Sequence, residues 1–542
     1  PSVEAAVHEA FEQAFVVHLH PTLVNALACS QKGKELCEQL FPSAIWLDYC
    51  NPGCTLALLV KKSLDSYQKA QGKAAQIVIL QNHGIFVAAE TCAEIKEIYN
   101  EIIAKLADCC KKAGISKEEV FCAENATNIA DTAPALRSML GNKDAYRATL
   151  HYCGKGEAFA GPLTPDHIVY AKTFAFSGNC CEKEISNFKQ KYGYLPKVIQ
   201  LKEDKSLFCA GESLKEAKAV KIALRNARQI EQLSYAFGGP RYMSKGEYEF
   251  IENWEAEAYR RSVQANSAGR LLNRVCLVTG AAQGFGLGIA EYLLAEGAQV
   301  AIADLNKEGA DKAAANLNQK YGANKAKAFV VDIADENSVE KLFAELLNCY
   351  GGLDALVANA GVLRAGSVLE LSKNDWDFVT KVNYSGYFLC TKYAGKIMAK
   401  QKIASREIFS DIIQINSKSG LEGSNKNAAY AGSKFGGIGL TQSFAKELVE
   451  YNIKVNSICP GNYYDGPLWS DPKKGLFKQY LDSGKVPGAK STEDVLKFYE
   501  AQVPMKRGCQ PEDVAKAIIY CIEQNYETGQ AIPVTGGQVM LH

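Results

Sequence analysis

The chain has 542 residues, 47% hydrophobic and 22% charged, with 61 lysines and arginines against 60 aspartates and glutamates for a formal net charge of +1 at pH 7. That length can bury several cores, which predicts two to four domains, and the balanced charge argues against nucleic acid or an anionic membrane as partner, leaving a small molecule as the expected substrate. No apolar run approaches the roughly 20 residues that cross a bilayer, no signal-peptide layout opens the chain, and the 18 cysteines form no CxxC pair, so reduced thiols and a cytoplasmic location are expected.

In chain order, the first feature is a histidine cluster. Four of the seven histidines fall in the first 83 residues. His18 and His20 lie at the end of the apolar run Phe15-Val-Val-His18, so in a strand both rings project to one face, and His83 follows a second strand-like run, Ile77 to Leu80. Three imidazoles leave room for a carboxylate or substrate oxygens, as a catalytic zinc requires. His18, His20 and His83 are therefore the candidate metal ligands, while His8 and His167 read as structural. The pieces Pro1-Ser-Val-Glu4, His18-x-His20-Pro and Asn82-His83-Gly84 resemble class II sugar-phosphate aldolases and epimerases over about residues 1 to 140. The resemblance implies that the three histidines bind zinc and that Glu4 is the acid/base during enediolate formation. In those aldolases the phosphate-binding loops precede the Pro-Ser-x-Glu motif, and this chain opens on Pro1 rather than methionine. Two expectations follow: a numbering that begins inside a longer polypeptide, or a first domain that binds metal or only packs.

Residues 141 to 270 are less legible. Gly84-Ile-Phe-Val-Ala-Ala-Glu-Thr91 and Ser206-Leu-Phe-Cys-Ala-Gly-Glu-Ser213 align without gaps, each before a helical stretch, which leaves open a degenerate duplication or a coincidence. Under duplication Lys205 falls where the first copy has His83, and the second copy has lost a ligand.

From 271 to 542 the runs Val275–Val278, Val300–Ala303, Ala328–Val331, Ala355–Ala358, Ile412–Ile415 and Lys454–Ile458 read as buried strands with helical patterns between them, which predicts a doubly wound parallel sheet of the Rossmann kind. After the first run comes Thr279-Gly280-Ala-Ala-Gln-Gly284-Phe-Gly286 and then a helical pattern, so the glycines allow a tight turn close to a pyrophosphate at a helix N-terminus. The next strand ends at Asp304, where a carboxylate accepts from ribose hydroxyls and repels a 2′-phosphate, predicting NAD over NADP, a preference that a lysine at 307 moderates. Tyr430 and Lys434 share a helical face one turn apart, and a nearby ammonium lowers a phenol pKa so that it can exchange a proton with a carbinol oxygen. Of the 26 tyrosines only Tyr321, with Lys325, repeats that spacing, in a polar stretch. Ser417, thirteen residues before Tyr430 at the end of a strand-like run, supplies a hydroxyl for the substrate oxygen.

These motifs, with Asn359-Ala360-Gly361, Asn383 and Pro460-Gly461, stand in the order of the short-chain dehydrogenase/reductase family, which the stretch 271 to 542 resembles throughout. The resemblance implies that Ser417 orients the carbonyl, Tyr430 is the acid/base and Lys434 also holds the nicotinamide ribose. It further implies that Asn383 supports a relay water, Asp332 contacts adenine and Asn359 braces the sheet. The segment after Pro460-Gly461 lacks the threonine many relatives use, so the carboxamide contact is unassigned. Ile412–Gly420, Lys434–Gln442, Val503–Cys509 and Val534–Met540 are similar to the sorbitol-6-phosphate 2-dehydrogenase branch, and Lys418 is either a phosphate contact or a solvated lysine. Together with Gly161-Pro-Leu-Thr-Pro-Asp-His167, the whole resembles fusions of a rhamnulose-1-phosphate-type aldolase to a short-chain dehydrogenase. The expected organisation is an α/β class II aldolase-like domain (1–140), a connecting segment or degenerate repeat (141–270) and a Rossmann domain (271–542). The expected function is NAD-dependent interconversion of a phosphorylated polyol and a ketose phosphate beside a zinc site, in a homo-oligomer. A dehydrogenase with a non-catalytic assembly module, and a deoxysugar-phosphate aldolase joined to a lactaldehyde dehydrogenase, are the alternatives.

Overall fold

The computed structural model describes residues 4–116, 120–122, 129–141, 148–254, 269–401, 409–473, 475–482, 484 and 486–540. Contacts divide the chain into two compact units, one of residues 1–126, 153–210 and 218–266, the other of 127–152, 211–217 and 267–542.

In the first unit, strands β1 (Phe15–Leu19), β2 (Ile45–Leu47), β3 (Ile77–Leu80) and β4 (Gly84–Ala89) form a sheet in the order β1-β4-β3-β2. Its inner strands are apolar without alternation because both faces are covered. Ile79, Ile85 and Val87 pack with Val24, Leu27, Ile102 and Leu106 on one side. Val78, Leu80, Phe86 and Ala88 pack with Val7, Leu56 and Val60 on the other. The helix Cys92–Lys112 follows β4 and starts on a capping box, Thr91 with Glu94, which satisfies two otherwise orphaned main-chain donors.

A second four-stranded sheet holds β5 (Thr149–Lys155), β6 (Phe176–Gly178), β7 (Val198–Leu201) and β8 (Ser206–Gly211) in the order β5-β8-β7-β6. Its order and its central senses match those of the first: β2 and β6 run parallel to β3 and β7, and β3 and β7 run antiparallel to β4 and β8. The helices after β4 and β8, Cys92–Lys112 and Leu214–Ser234, each have 21 residues.

The second unit is built on a seven-stranded sheet in the order β11-β10-β9-β12-β13-β14-β15, with β9 (Val275–Thr279), β10 (Gln299–Asp304), β11 (Ala326–Val330), β12 (Ala355–Ala358), β13 (Ser410–Ile415), β14 (Ile453–Pro460) and β15 (Ala531–Val534). Every pairing is parallel. This is the doubly wound order, whose reversal between β9 and β12 opens a crevice at the strands' carboxyl ends. Helix Ile129–Met139 belongs to this unit. From it Arg137, 1% exposed, makes a paired contact with the fully buried Asp354 just before β12, at 3.0 and 2.7 Å. Asp354 also accepts from the Val275 amide, and Arg137 donates to the Ala148 carbonyl and Gln401. Among the described residues no helix is long and apolar enough to cross a membrane.

Removing one partner of such a dry pair strands the other charge. Asp354→Ala should lower stability by roughly 3–5 kcal/mol. Chemical denaturation should show a transition at clearly lower denaturant, and an unchanged midpoint would mean that the pair is solvated.

Candidate functional site

At the carboxyl edge of the parallel sheet, the turn after β9 is tight enough to require glycine. Gly280 and Gly284 have φ of +64° and +62°, and a Cβ on Gly286 would meet the Gly280 carbonyl oxygen at 2.2 Å and Asn359 Nδ2 at 2.6 Å. Asn359, one residue past β12, donates from Nδ2 to the carbonyls of Thr279 and Gly280, both at 3.0 Å, and so ties two neighbouring strand ends together. The helix Gly284–Ala295 starts there, presenting main-chain N–H groups to the crevice. Asp304 ends β10 and accepts from the amides of Ala282 and Asn306, each at 2.9 Å. The lysine at 307 is turned to Asp311 at 3.0 Å. Asp332, beyond β11, accepts from the Ala334 amide.

Ser417 follows β13, and Tyr430 and Lys434 lie on the helix Ala428–Leu448. The Ser417 side chain lies beside the Tyr430 phenol and favours its ionisation. Lys434 Nζ donates to the Ile415 carbonyl at 2.9 Å and stands 5.5 Å from the centre of the Tyr430 ring. The spacing argument predicts a lowered phenol pKa, but burial raises that of Tyr430, Ser417 only partly opposing it. Burial sets the direction of the shift, and the phenol rests protonated. Burial also pulls the Lys434 ammonium down to about 8. Asn383 sits in a widened helical turn, Lys381–Ser385, where Oδ1 accepts from the Val362 amide at 2.8 Å and Nδ2 donates to the Val362 carbonyl and to Ser433. Asn383 and Lys434 both line a cavity of about 10 Å³, room for one water. Lys418 is half-buried, which lowers its ammonium pKa. The rival Tyr321 reaches Glu291 instead, and Lys325 the Gly297 carbonyl.

In the first unit, ligand atoms of Glu4, His18, His20 and His83 lie within 4.8 Å of one another. His18 leaves β1, His20 follows it and His83 sits in the β3–β4 turn, so the sheet order brings them together. Residues 1 to 3 of the Pro-Ser-x-Glu motif lie outside the described residues. His18 Nδ1 donates to the Ile85 carbonyl at 2.9 Å and His20 Nδ1 lies 2.5 Å from Asp166 Oδ2, so both Nε2 atoms, 2.9 Å apart, face inward. Glu4 Oε1 is 3.4 Å from His18 Nε2 and 3.2 Å from His83 Nε2, and those imidazoles hold its carboxyl well below the usual carboxylate range. Burial lowers the His83 pKa, while for His20 the Asp166 carboxylate overcomes burial and raises it. Fixed Nδ1 protons, convergent Nε2 atoms and one carboxylate suit a divalent metal such as zinc. Glu4 thus sits within the ligand cluster itself. Asp166 escaped the sequence reading, although it lies in the Gly161–His167 segment, because a histidine's hydrogen-bonding partner has no fixed spacing from it. His167 is 3% exposed and burial lowers its pKa to about 3.

The short chain dehydrogenase family model matches residues 274–470. The Class II Aldolase and Adducin N-terminal domain model matches residues 1–109. Sorbitol-6-phosphate 2-dehydrogenase of Escherichia coli (strain K12) is 37% identical over 271 residues, which cover 50% of this chain and 100% of that protein. The chain belongs to the short-chain dehydrogenase/reductase family. Its dehydrogenase half is joined to an N-terminal class II aldolase domain, and an uncharacterized oxidoreductase, YuxG, of Bacillus subtilis (strain 168) is 25% identical over 593 residues, covering 99% of this chain and 83% of its own. A crystal structure of sorbitol-6-phosphate 2-dehydrogenase from Erwinia amylovora shares 40% identity over 49% of this chain and 100% of that one, with a TM-score of 0.45.

In this dehydrogenase the buried lysine is charged below its pKa and neutral above it. The kcat/KM for ketone reduction should therefore stay level at lower pH and fall as pH rises through about 8. A profile still level at pH 10 would contradict that role for Lys434.

Proposed function

We propose that the dehydrogenase half interconverts a ketose phosphate and a polyol phosphate, fructose 6-phosphate and sorbitol 6-phosphate, with NAD. The observation that carries this reading is the Ser417–Tyr430–Lys434 group at the carboxyl edge of the sheet, in a stretch 37% identical to the whole of a sorbitol-6-phosphate 2-dehydrogenase.

The glycine turn, Asp304, Asp332 and Asn359 are the residues that would hold the dinucleotide, and bound nicotinamide would supply or take up hydride. Asp304 would accept from the ribose hydroxyls and repel a 2′-phosphate. Ser417 donates to the ketone oxygen and stabilises the charge that develops there. Tyr430, protonated at rest, gives that oxygen its proton. Lys434 stabilises the phenolate left behind and, with Asn383, lines the water-sized cavity through which the proton is restored. Lys418 would meet the substrate phosphate as a point charge.

A second reading, for the first unit, is favoured by the four-residue ligand cluster: retro-aldol cleavage of a sugar phosphate at a zinc held by His18, His20 and His83. Zinc there would polarise the ketone and lower the cost of carbanion character beside it. Glu4, in the same cluster, would be the carboxylate that exchanges a proton with the substrate.

Purified full-length chain should oxidise NADH with fructose 6-phosphate and prefer NADH to NADPH. Tyr430→Phe should lose about 10²–10⁴-fold in kcat. Cofactor binding without turnover would rule out this substrate pair, and undiminished turnover in the variant would remove Tyr430 from the proton step.

A further inference from the structure

Two of the three histidines in the ligand cluster are braced by residues far along the chain. His20 is fixed by Asp166, 146 residues away, through the 2.5 Å contact at Nδ1. His83 follows Asn82, a fully buried residue in the left-handed region at φ +54°, which asparagine tolerates better than most residues. The Asn82 side chain is anchored by the second sheet's segment. Asn82 Nδ2 donates to the carbonyls of Leu163 (2.7 Å) and Arg241 (2.9 Å), and Asn82 Oδ1 accepts from the Arg241 guanidinium at 2.5 Å. Arg241 is itself held at its other nitrogen by Glu247. Asp166, Leu163 and Arg241 all lie between residues 148 and 254, within the same compact unit as the histidines.

That segment repeats the first sheet's strand order and central strand senses, and its last strand is likewise followed by a helix of 21 residues. It carries no metal cluster of its own among the described residues. Where the first sheet has His83 before β4, the second has Lys205 before β8, and Lys205 binds Glu157 at 2.5 Å.

We infer that residues 148–254 are a second, degenerate copy of the aldolase-like fold, retained as the outer shell of the first copy's metal site, with Asp166 as the positioning residue for His20. The inference rests on the metal reading above. A carboxylate on Nδ1 fixes the tautomer that leaves Nε2 free, restrains ring rotation and makes Nε2 a better donor. Leu163 and Arg241 do the equivalent for His83 by holding the main chain before it.

Zinc affinity, measured on full-length chain by competition with a chromophoric chelator, tests this. Asp166→Ala should weaken zinc binding by about 10–100-fold, and Asp166→Asn, which keeps an acceptor oxygen without the charge, should fall between that variant and the native chain. Arg241→Met should weaken binding independently, through Asn82, while circular dichroism in chelator checks that each variant is folded. Native affinity in Asp166→Ala would overturn the inference and leave the metal reading standing. A native chain that binds no zinc would overturn both.

Discussion

In each unit a main-chain carbonyl at or beside the sheet holds the side chain on which the chemistry turns: Ile415 accepts from Lys434 Nζ, and Ile85 accepts from His18 Nδ1. A side chain taken out of water needs a partner whose position is fixed, and a carbonyl belonging to a strand costs nothing further to order. The lysine bond places an ammonium where water is scarce, which is why its pKa falls, and keeps it against the Tyr430 ring. The histidine bond determines which nitrogen carries the proton and so which lone pair faces the cluster. The two units thus share a device, although their folds differ.

The remaining dry charges do different work. Arg137 and Asp354 lie away from the crevice and bind a helix from residues 129–139 to the strand base before β12. Lys454 and Asp411, paired at 3.0 Å at 2% and 1% exposure, link the neighbouring strands β14 and β13. Because an unpaired buried charge is costly, such pairs specify which segments meet as much as they stabilise them. By contrast, pairs such as Lys307 with Asp311 are solvated helix pairs that contribute little.

The parallel sheet was largely legible because its strands are buried on both faces and read as apolar runs; β9, β10, β12, β13 and β14 lie on the runs beginning at Val275, Val300, Ala355, Ile412 and Lys454. Strand β15 was not, since Ala531-Ile-Pro-Val534 is short, contains proline and stands at the sheet edge. Helix Ile129–Met139 escaped notice because Pro134 interrupts its pattern and its key contact is an arginine, which sequence patterning assigns to the surface. The glycine turn, the Ser417–Tyr430–Lys434 order and the histidine spacings could be read because each is a local pattern tied to one chemical need. Asp166 and Arg241 could not, because their meaning lies in contacts across 146 and 159 residues. The eight-residue match between Gly84–Thr91 and Ser206–Ser213 fell on β4 and β8, the same position in two sheets of the same order.

The two candidate sites, one in each unit, are proposed to work independently of each other. Bound zinc and NADH oxidation measured in the same preparations of His20→Ala and Tyr430→Phe test that independence most directly. His20→Ala should lose zinc and keep fructose 6-phosphate reduction, while Tyr430→Phe should keep one zinc per chain and lose reduction. Loss of NADH oxidation in a folded His20→Ala protein, or of zinc in Tyr430→Phe, would contradict it.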